Sequence, residues 1–457
     1  MQVLSHKPAS FQLIKRFFRV TFFFGFSKKL INEEGGMKMA DVCVVGLGYI
    51  GLPTALAFAQ SGKIVHGVDI SQKVCDIINE GKIHIIEPNL EEVAEKVHAT
   101  GRFHAAVKPA ESNSYIIAVP TPITKDQKAD LAYVKAAAKS VAEVLKPGDL
   151  VILESTVPPR CTLDILIPEL EKSGLKAASD FLVAHCPERV LPGNLLYELT
   201  YNNRIIGGID DASCKAAYDL YGSFVKGEML LTTTTTAELC KLMENTYRDV
   251  NIALANELAM LSERFAVDAW EVISLANMHP RVNIHQPGPG VGGHCLAVDP
   301  WFIVEAQPEV AKIIKLARET NNSMPHYVAN LVEARTNKEE KVLLLGATYK
   351  PDIDDIRESP ILELRDELEN RGFDVSIFEP LVYEEHTDVY EAALNASTVV
   401  LCVNHSVFEN IDFKKLSKAM NGKVLIDTKN YFDKKTVAAA GLNYVCLGNG
   451  SKDDTNA

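Results

Sequence analysis

The chain has 457 residues, 47% hydrophobic and 23% charged, the balance of a globular protein with several cores rather than of a fibrous or disordered one. Its formal net charge of -13 argues against general affinity for nucleic acid or anionic lipid, though a local basic pocket stays open. Nine cysteines, an odd count with no C-x-x-C pair, argue against a disulfide framework or structural zinc and for a reducing, cytoplasmic setting.

Residues 1–36 differ in texture from the rest, with Lys15, Arg16, Arg19, Lys28 and Lys29 set among phenylalanines. The apolar stretch at 20–26 is too short to span a bilayer, and no small-residue cleavage site follows it. The segment reads as an extension or non-native start outside the fold, with a membrane-surface helix as the alternative.

The regular pattern begins with an apolar strand at 41–45, followed by Gly46-Leu47-Gly48-Tyr49-Ile50-Gly51. An alanine-rich helix at 52–60 stops at Ser61-Gly62, and a second strand at 64–68 ends on Asp69. This is a βαβ unit with a dinucleotide fingerprint. Gly46 makes the tight turn, Gly48 admits a pyrophosphate to the backbone, and Gly51 lets the helix pack on the sheet. The amides of Tyr49, Ile50 and Gly51 would face the phosphates. Asp69 can accept from a ribose 2′-hydroxyl and would repel a 2′-phosphate, which favours NAD over NADP. The plainer reading is a tight structural turn. Further strands at 114–119, 150–153 and 182–184 extend the pattern into a doubly wound parallel sheet.

Three loops follow strand ends, where open α/β sheets bind ligands. Thr121 lies in Val119-Pro120-Thr121-Pro122. Thr156 lies in Glu154-Ser155-Thr156-Val157-Pro158-Pro159. Both segments also read as ordinary proline-rich loops. In Pro187-Glu188-Arg189, Glu188 is either a general base or a surface carboxylate paired with Arg189.

The texture changes after Gly207-Gly208, and five threonines at 232–236 offer a helix cap or an extended lead-in. One long helix spans 237–265, which has no glycine or proline. Lys241 and Asn245, four apart on one face, could both donate to a developing alkoxide, or form a solvated pair. A proline- and histidine-bearing loop at 277–291 leads to Gly292-Gly293-His294-Cys295-Leu296-Ala297-Val298-Asp299. Glycines there admit a close ligand, and a thiol can attack a carbonyl to form a thioester; the plainer reading is a buried inert cysteine. Zinc would need His279, His285 or His294, but a second nearby cysteine and regular ligand spacing are lacking.

A second βαβ-like pattern runs through strands at 342–345, 375–378, 398–403 and 424–426, with a helix at 360–370. Lys350 and Arg357 bracket Asp352, Asp354 and Asp355 at a strand end, as a phosphate clamp or a local charge network. The tail from Asn449 is polar.

Taken together, seven segments in order resemble the UDP-glucose/GDP-mannose dehydrogenase family over about residues 40–450. They are residues 46–51, 119–122, 155–158, Pro187-Glu188, Lys241 to Asn245, 292–299 and 350–360. The resemblance implies two Rossmann-like doubly wound parallel-sheet domains joined by a central helical domain with one long helix. Expected boundaries are 37–210 for the NAD-binding domain, 211–325 for the central domain with the cysteine loop, and 326–450 for the UDP-sugar domain. It implies a four-electron oxidation of a UDP-sugar C6 hydroxyl to a carboxylate with two NAD+. Lys241 and Asn245 would stabilise the alkoxide and later oxyanion. Cys295 would carry a thiohemiacetal and then a thioester. Glu188 and Thr121 would position the hydrolytic water, and Asp299 would assist the first deprotonation. Arg189, Arg281, Gly292, Lys350 and Arg357 would contact substrate, Arg281 reaching it from a partner subunit in some members. The long helix would be the seam of a homodimer. Residues 187–193 and 291–303 resemble the branch acting on UDP-N-acetyl-D-mannosamine for a surface polysaccharide. Rival readings are a sister enzyme acting on UDP-N-acetylglucosamine, a silent nucleotide-sugar binder, and a two-electron hydroxyacid dehydrogenase.

Overall fold

A computed structural model of the chain describes residues 39–190, 193–383 and 388–451. The extension at 1–36, the Leu191-Pro192 pair of the 187–193 motif and the last residues of the polar tail lie outside the described residues. Among the described residues, no helix is long and apolar enough to cross a membrane.

The first sheet has eight strands: β1 (Ala40–Val45), β2 (Val65–Val68), β3 (Phe103–Ala106), β4 (Ser112–Ile117), β5 (Leu150–Leu153), β6 (Leu182–His185), β7 (Arg204–Gly208) and β8 (Met229–Thr233). Their order is β3-β2-β1-β4-β5-β6-β7-β8. The central strands β1, β2, β4, β5 and β6 are short, mostly apolar runs buried on both faces, as helix-covered parallel sheets require, while β3 and β8 at the edges are largely uncovered. Val42 and Val44 pack under Leu52, Leu56 and Phe58 of the helix Gly51–Gln60, while Cys43 and Val45 pack on the opposite face against Val134 and Val141. Winding reverses between β1 and β4, so the ligand crevice opens at their carboxyl ends, beside Gly46 and Val119.

The sheet is not wholly parallel. β7 runs antiparallel to β6, and β8 follows β7. It also continues to Thr233, beyond the expected boundary at 210. Gly207 and Gly208 had suggested a break, but both lie inside β7. A Cβ on Gly207 would meet Thr233 O at 2.5 Å, and one on Gly208 would meet Cys214 N at 2.6 Å. They are close-approach glycines rather than linker glycines.

The second sheet has five parallel strands: β9 (Lys341–Leu345), β10 (Asp374–Phe378), β11 (Ala396–Leu401), β12 (Val424–Asp427) and β13 (Asn443–Cys446), in the order β10-β9-β11-β12-β13. Between the sheets lies the helix Thr234–Phe265, 32 residues long. The threonine run serves both expected purposes. Thr232 and Thr233 end β8, and the Thr233 hydroxyl accepts from the Thr236 amide at 3.3 Å as the helix cap. The helix Lys312–Glu333 packs alongside, with Arg318 Nη1 donating to Asp249 Oδ1 at 2.5 Å and Asn321 Nδ2 to the same oxygen at 2.8 Å. Both members of this ion pair are buried. Asn256 on the long helix bonds Asn321 and accepts from Gly288 N at 2.9 Å, which anchors the loop that leads to Cys295.

Candidate active site

The crevice of the first sheet has the shape that a dinucleotide needs. Gly46 adopts φ +94, and a Cβ there would lie 2.4 Å from Ala118 O. A Cβ on Gly51 would lie 1.8 Å from Gly46 O, so the turn and the helix start are packed without room for a side chain. Gly48 differs: nothing lies within 4 Å of its would-be Cβ. Two of the glycines are therefore demanded by packing, and the third faces open space where a pyrophosphate fits. Asp69 Oδ2 accepts from Leu47 N at 3.2 Å and Oδ1 from Ser71 N at 2.9 Å, which holds the carboxylate at the edge of that space. The amino end of the helix Gly51–Gln60 points the same way. Thr121 Oγ1 donates to Thr156 O at 2.6 Å, bringing the two proline-rich loops together beside the crevice.

Glu188 is not a surface carboxylate and does not pair with the Arg189 side chain. It is buried; its Oε2 accepts from Arg204 Nη2 at 2.6 Å and its Oε1 from the Arg189 amide at 2.7 Å. The Arg189 guanidinium goes instead to Glu244 on the long helix, at 2.6 Å for the shortest contact. Its charge is spent on joining the first sheet to the central helices.

Asn245 and Asp299 meet directly. Asn245 Nδ2 donates to Asp299 Oδ2 at 2.6 Å, and both residues are buried. Asp299 opens the helix Asp299–Ala306, launched by a turn in which Cys295 O accepts from Asp299 N at 2.8 Å. That turn places Cys295 and Asp299 one helical step apart. Desolvation pushes the Asp299 carboxyl up to about 6, opposed by the Lys241 charge and the Asn245 hydrogen bond. Cys295 is exposed to the cleft as a residue, but the groups crowding its sulfur desolvate it. Its thiol is pushed up to about 11, further raised by Asp299 and lowered by Lys241, Arg248 and Arg357. Lys241 thus acts electrostatically on both the thiol and the carboxyl.

The second sheet closes on the cysteine loop. A Cβ on Gly292 would lie 2.4 Å from Glu358 O, and one on Gly293, which has φ +82, would lie 3.0 Å from the Tyr349 ring. The glycine pair therefore lets the 349–360 segment press against the loop. Arg357 chelates Asp355, with Nη2 to Oδ2 at 2.7 Å, and lies within electrostatic reach of His294 and of Tyr49 in the glycine turn. It faces both nucleotide-type sheets. Lys350 is exposed, and its ammonium is unpaired among the described residues. Arg281 also stands exposed, its guanidinium unpaired among the described residues, and this chain alone does not show it at the cysteine. A cavity of about 360 Å³ opens beside the loop, lined by Thr124, Lys125, Ala297, Trp301, Arg318 and Glu358 among others.

Two features escaped the sequence. Lys429, at the carboxyl end of β12, brings its Nζ within 2.7 Å of the would-be Cβ of Gly288, and burial lowers its ammonium. Asp427-Thr428-Lys429 following a strand was the available signal. The other is Arg204, a cation opening an otherwise apolar strand, which joins Glu188 to Glu154.

The second sheet repeats the first in outline and then departs from it. Gly346 follows β9 with φ +89, and Glu379 follows β10 as Asp69 follows β2. Glu379 Oε2 accepts from Ala347 N at 2.7 Å and contacts His405 Nε2 at 2.9 Å, with both side chains buried. The carboxylate that would hold a ribose is already occupied.

Two nucleotide-type sheets, only one with a free dinucleotide crevice, meeting over a cysteine loop define a dehydrogenase of nucleotide-linked substrates. Models of the UDP-glucose/GDP-mannose dehydrogenase family match the NAD binding domain at residues 40–225, the central domain at 235–323 and the UDP binding domain at 343–434. An NDP-N-acetyl-D-galactosaminuronic acid dehydrogenase of Ralstonia nicotianae is 46% identical over 420 residues, covering 87% of this chain and 97% of that protein. A UDP-N-acetyl-D-mannosamine dehydrogenase of Salmonella typhimurium is 44% identical over 424 residues, covering 86% and 99%. The solved UDP-D-ManNAc dehydrogenase of Pyrococcus horikoshii superposes with a TM-score of 0.84 at 41% identity, covering 90% and 99%. The chain belongs to the UDP-glucose/GDP-mannose dehydrogenase family and is an NAD-dependent UDP-sugar dehydrogenase.

Proposed function

We propose that the chain oxidises the C6 hydroxyl of UDP-N-acetyl-D-mannosamine to a carboxylate, through a thiohemiacetal and then a thioester on Cys295. The observation that carries it is the joint placement of Cys295, Lys241, Asn245 and Asp299 around one turn. Gly46, Gly48, Gly51 and Asp69 would hold NAD+, which would supply the hydride acceptor for each oxidation. Asp299, ionised at neutral pH, draws the substrate proton. Lys241 and Asn245 then donate to the oxygen that bears the developing charge. A thiol near 11 is almost fully protonated at neutral pH, so attack on the aldehyde needs deprotonation in the same step, helped by Lys241. The covalent hold keeps a reactive aldehyde from escaping while cofactor is exchanged. Glu188, with Thr121 beside the crevice, prepares water for the thioester. Lys350, Lys429 and Arg357 surround the diphosphate end, and the three family segments act as cofactor, central and UDP-sugar domains.

A second reading follows from the Ralstonia relative: the sugar is an N-acetylgalactosamine. Incubation with NAD+ and UDP-N-acetylmannosamine, UDP-N-acetylgalactosamine or UDP-N-acetylglucosamine, counting NADH per sugar, decides between them. Two NADH per UDP-N-acetylmannosamine, with the others much slower, supports the proposal. Preference for another epimer replaces the sugar and leaves the chemistry. Unchanged acid production by Cys295→Ser would remove the thioester.

We also propose a homodimer through the long helix, where Leu239, Met243, Tyr247, Leu254 and Leu261 are exposed in a row at helical spacing. All nine cysteines are free, which suits a reducing compartment.

A further inference from the structure

Behind Glu188 lies a buried charge cluster with no part in the steps above. Arg204 on β7 forks between two carboxylates, Nη2 to Glu188 Oε2 at 2.6 Å and Nη1 to Glu154 Oε1 at 3.2 Å. Glu154, just past β5, is fully enclosed. Its Oε1 also accepts from the Tyr221 hydroxyl at 2.9 Å, and its Oε2 from Thr54 Oγ1 at 3.2 Å. The Arg204 guanidinium lies over the Tyr221 ring, 4.3 Å from its centroid. Cys186, just past β6, is the other titratable side chain within electrostatic reach of the cluster, and Cys214 on the helix Asp211–Tyr221 lies beside Cys186. The elements that meet here are strands β5, β6 and β7 and two helices, including the helix that starts at Gly51.

One guanidinium serving two buried carboxylates creates competition. Two like charges in one dry site repel, so each makes ionisation of the other more costly. Burial raises Glu154 well above the usual carboxylate range. Arg204 opposes the rise, Glu188 adds to it, and the Tyr221 and Thr54 hydrogen bonds oppose it.

We propose that Arg204 and Glu154 are positioning residues that set the orientation and basicity of Glu188 during thioester hydrolysis. This rests on the reading of Glu188 given above. Arg204 fixes Oε2, and the Arg189 amide fixes one lone pair of Oε1; the remaining lone pair of Oε1 can take a water. In the hydrolytic step the water O–H bond breaks to Glu188 and the water oxygen bonds the acyl carbon. The C–S bond breaks with its electron pair on Sγ, and Glu188 returns the proton to Sγ. While Glu188 is protonated, Arg204 needs another anion. Ionised Glu154 is that anion; protonated Glu154 leaves a buried guanidinium uncompensated and makes Glu188 a poorer base.

The hydrolysis rate of the holoenzyme should therefore rise with pH in an upper limb set by Glu154. Rapid-quench intact mass follows the Cys295 acyl adduct, and the first NADH burst is measured separately as the control step. Glu188→Gln is expected to trap the adduct, slowing hydrolysis about a hundredfold or more, the size of a general-base contribution. Glu154→Gln is expected to abolish the upper limb and lower the plateau severalfold, with the NADH burst and both KM values unchanged. Tyr221→Phe, which keeps the packing, should move the upper limb to higher pH, and it tests the idea even if Glu154→Gln does not fold. Arg204→Lys should slow hydrolysis without slowing the burst. If Glu188→Gln traps the adduct but Glu154→Gln and Tyr221→Phe leave the profile in place, the cluster is structural and the inference falls. If Glu188→Gln hydrolyses normally, the reading of Glu188 itself is overturned, and the inference with it.

Discussion

Asp299→Asn should stabilise the folded protein while disabling it. The side chains are nearly isosteric, and the amide oxygen can still accept the 2.6 Å hydrogen bond from Asn245. What disappears is a buried negative charge. A carboxyl moved from its ordinary 3.8 to about 6 binds its proton more tightly in the native state than in the unfolded chain. Stability from this group is therefore complete below the unfolded value and is lost as pH rises through the folded one. Each tenfold change being 1.36 kcal/mol, the native enzyme gives up about 3 kcal/mol above pH ~6. The variant has no such group. It should gain about 3 kcal/mol at pH 7.5, roughly half that at pH 5, and nearly nothing near pH 3.5. Over a unit of several hundred residues, the gain at pH 7.5 corresponds to about 3 °C in melting temperature. The assay is a thermal melt of both proteins, free of ligand, across that pH range. An independent readout is alkylation of Cys295 by iodoacetamide. With the Asp299 charge gone, the thiol falls from about 11 and should react severalfold faster at pH 8. The first hydride transfer should drop at least a hundredfold. A lower melting temperature at pH 7.5, or a gain that does not shrink on acidification, would refute the reasoning.

The glycine turn offers a paired test. Gly51→Ala forces a Cβ to within 1.8 Å of Gly46 O and should prevent stable folding of the first sheet, read as loss of the cooperative melt. Gly48→Ala meets nothing within 4 Å, so it should melt normally and bind NAD+ at least tenfold more weakly by calorimetry; unchanged affinity would remove the pyrophosphate from that position. Asp69→Ala should weaken NAD+ about tenfold or more and allow NADP+ turnover, since a charged ribose hydrogen bond is lost and a repulsion removed; persistent rejection of NADP+ counts against its role. Arg318→Met leaves Asp249 buried without its cation and should cost about 3–5 kcal/mol in urea unfolding, the cost of breaking a buried pair. Leu254→Glu with Leu261→Glu should halve the solution mass by light scattering if the long helix is the seam, and an unchanged mass would place the interface elsewhere.

Several parts of this were legible in the chain. The glycine spacing with Asp69, the apolar strand runs and the uninterrupted 237–265 segment are local patterns, and local patterns specify turns, strands and helices through backbone sterics and periodicity. The second βαβ-like pattern was also visible in outline, but not the glutamate that follows its second strand. The partners of the charged residues were not legible. Arg189 stands next to Glu188 in the chain and serves Glu244 across the domain, while Glu188 is held by Arg204, sixteen residues on and one strand away. Gly207-Gly208 looked like a break and proved to be a site of close strand–helix approach. Each outcome depends on which elements pack together, and adjacency in sequence carries no information about that.

The sequence by itself determined the kinds of group available: a phosphate-admitting turn, a cysteine between glycines and an aspartate, and donors four apart on a helix. Only the tertiary structure decided their states. Burial, opposed by Lys241 and Asn245, makes Asp299 titrate near 6, and desolvation, with Asp299 adding to it, keeps the Cys295 thiol protonated. His405, reaching Glu379 from the loop after β11, occupies the carboxylate of the second sheet, whereas the Asp69 carboxylate of the first is met by two backbone amides. The physical reason is the same in each case. Charge, hydrogen bonding and exposure are properties of a site's whole surroundings, and those are assembled from segments hundreds of residues apart.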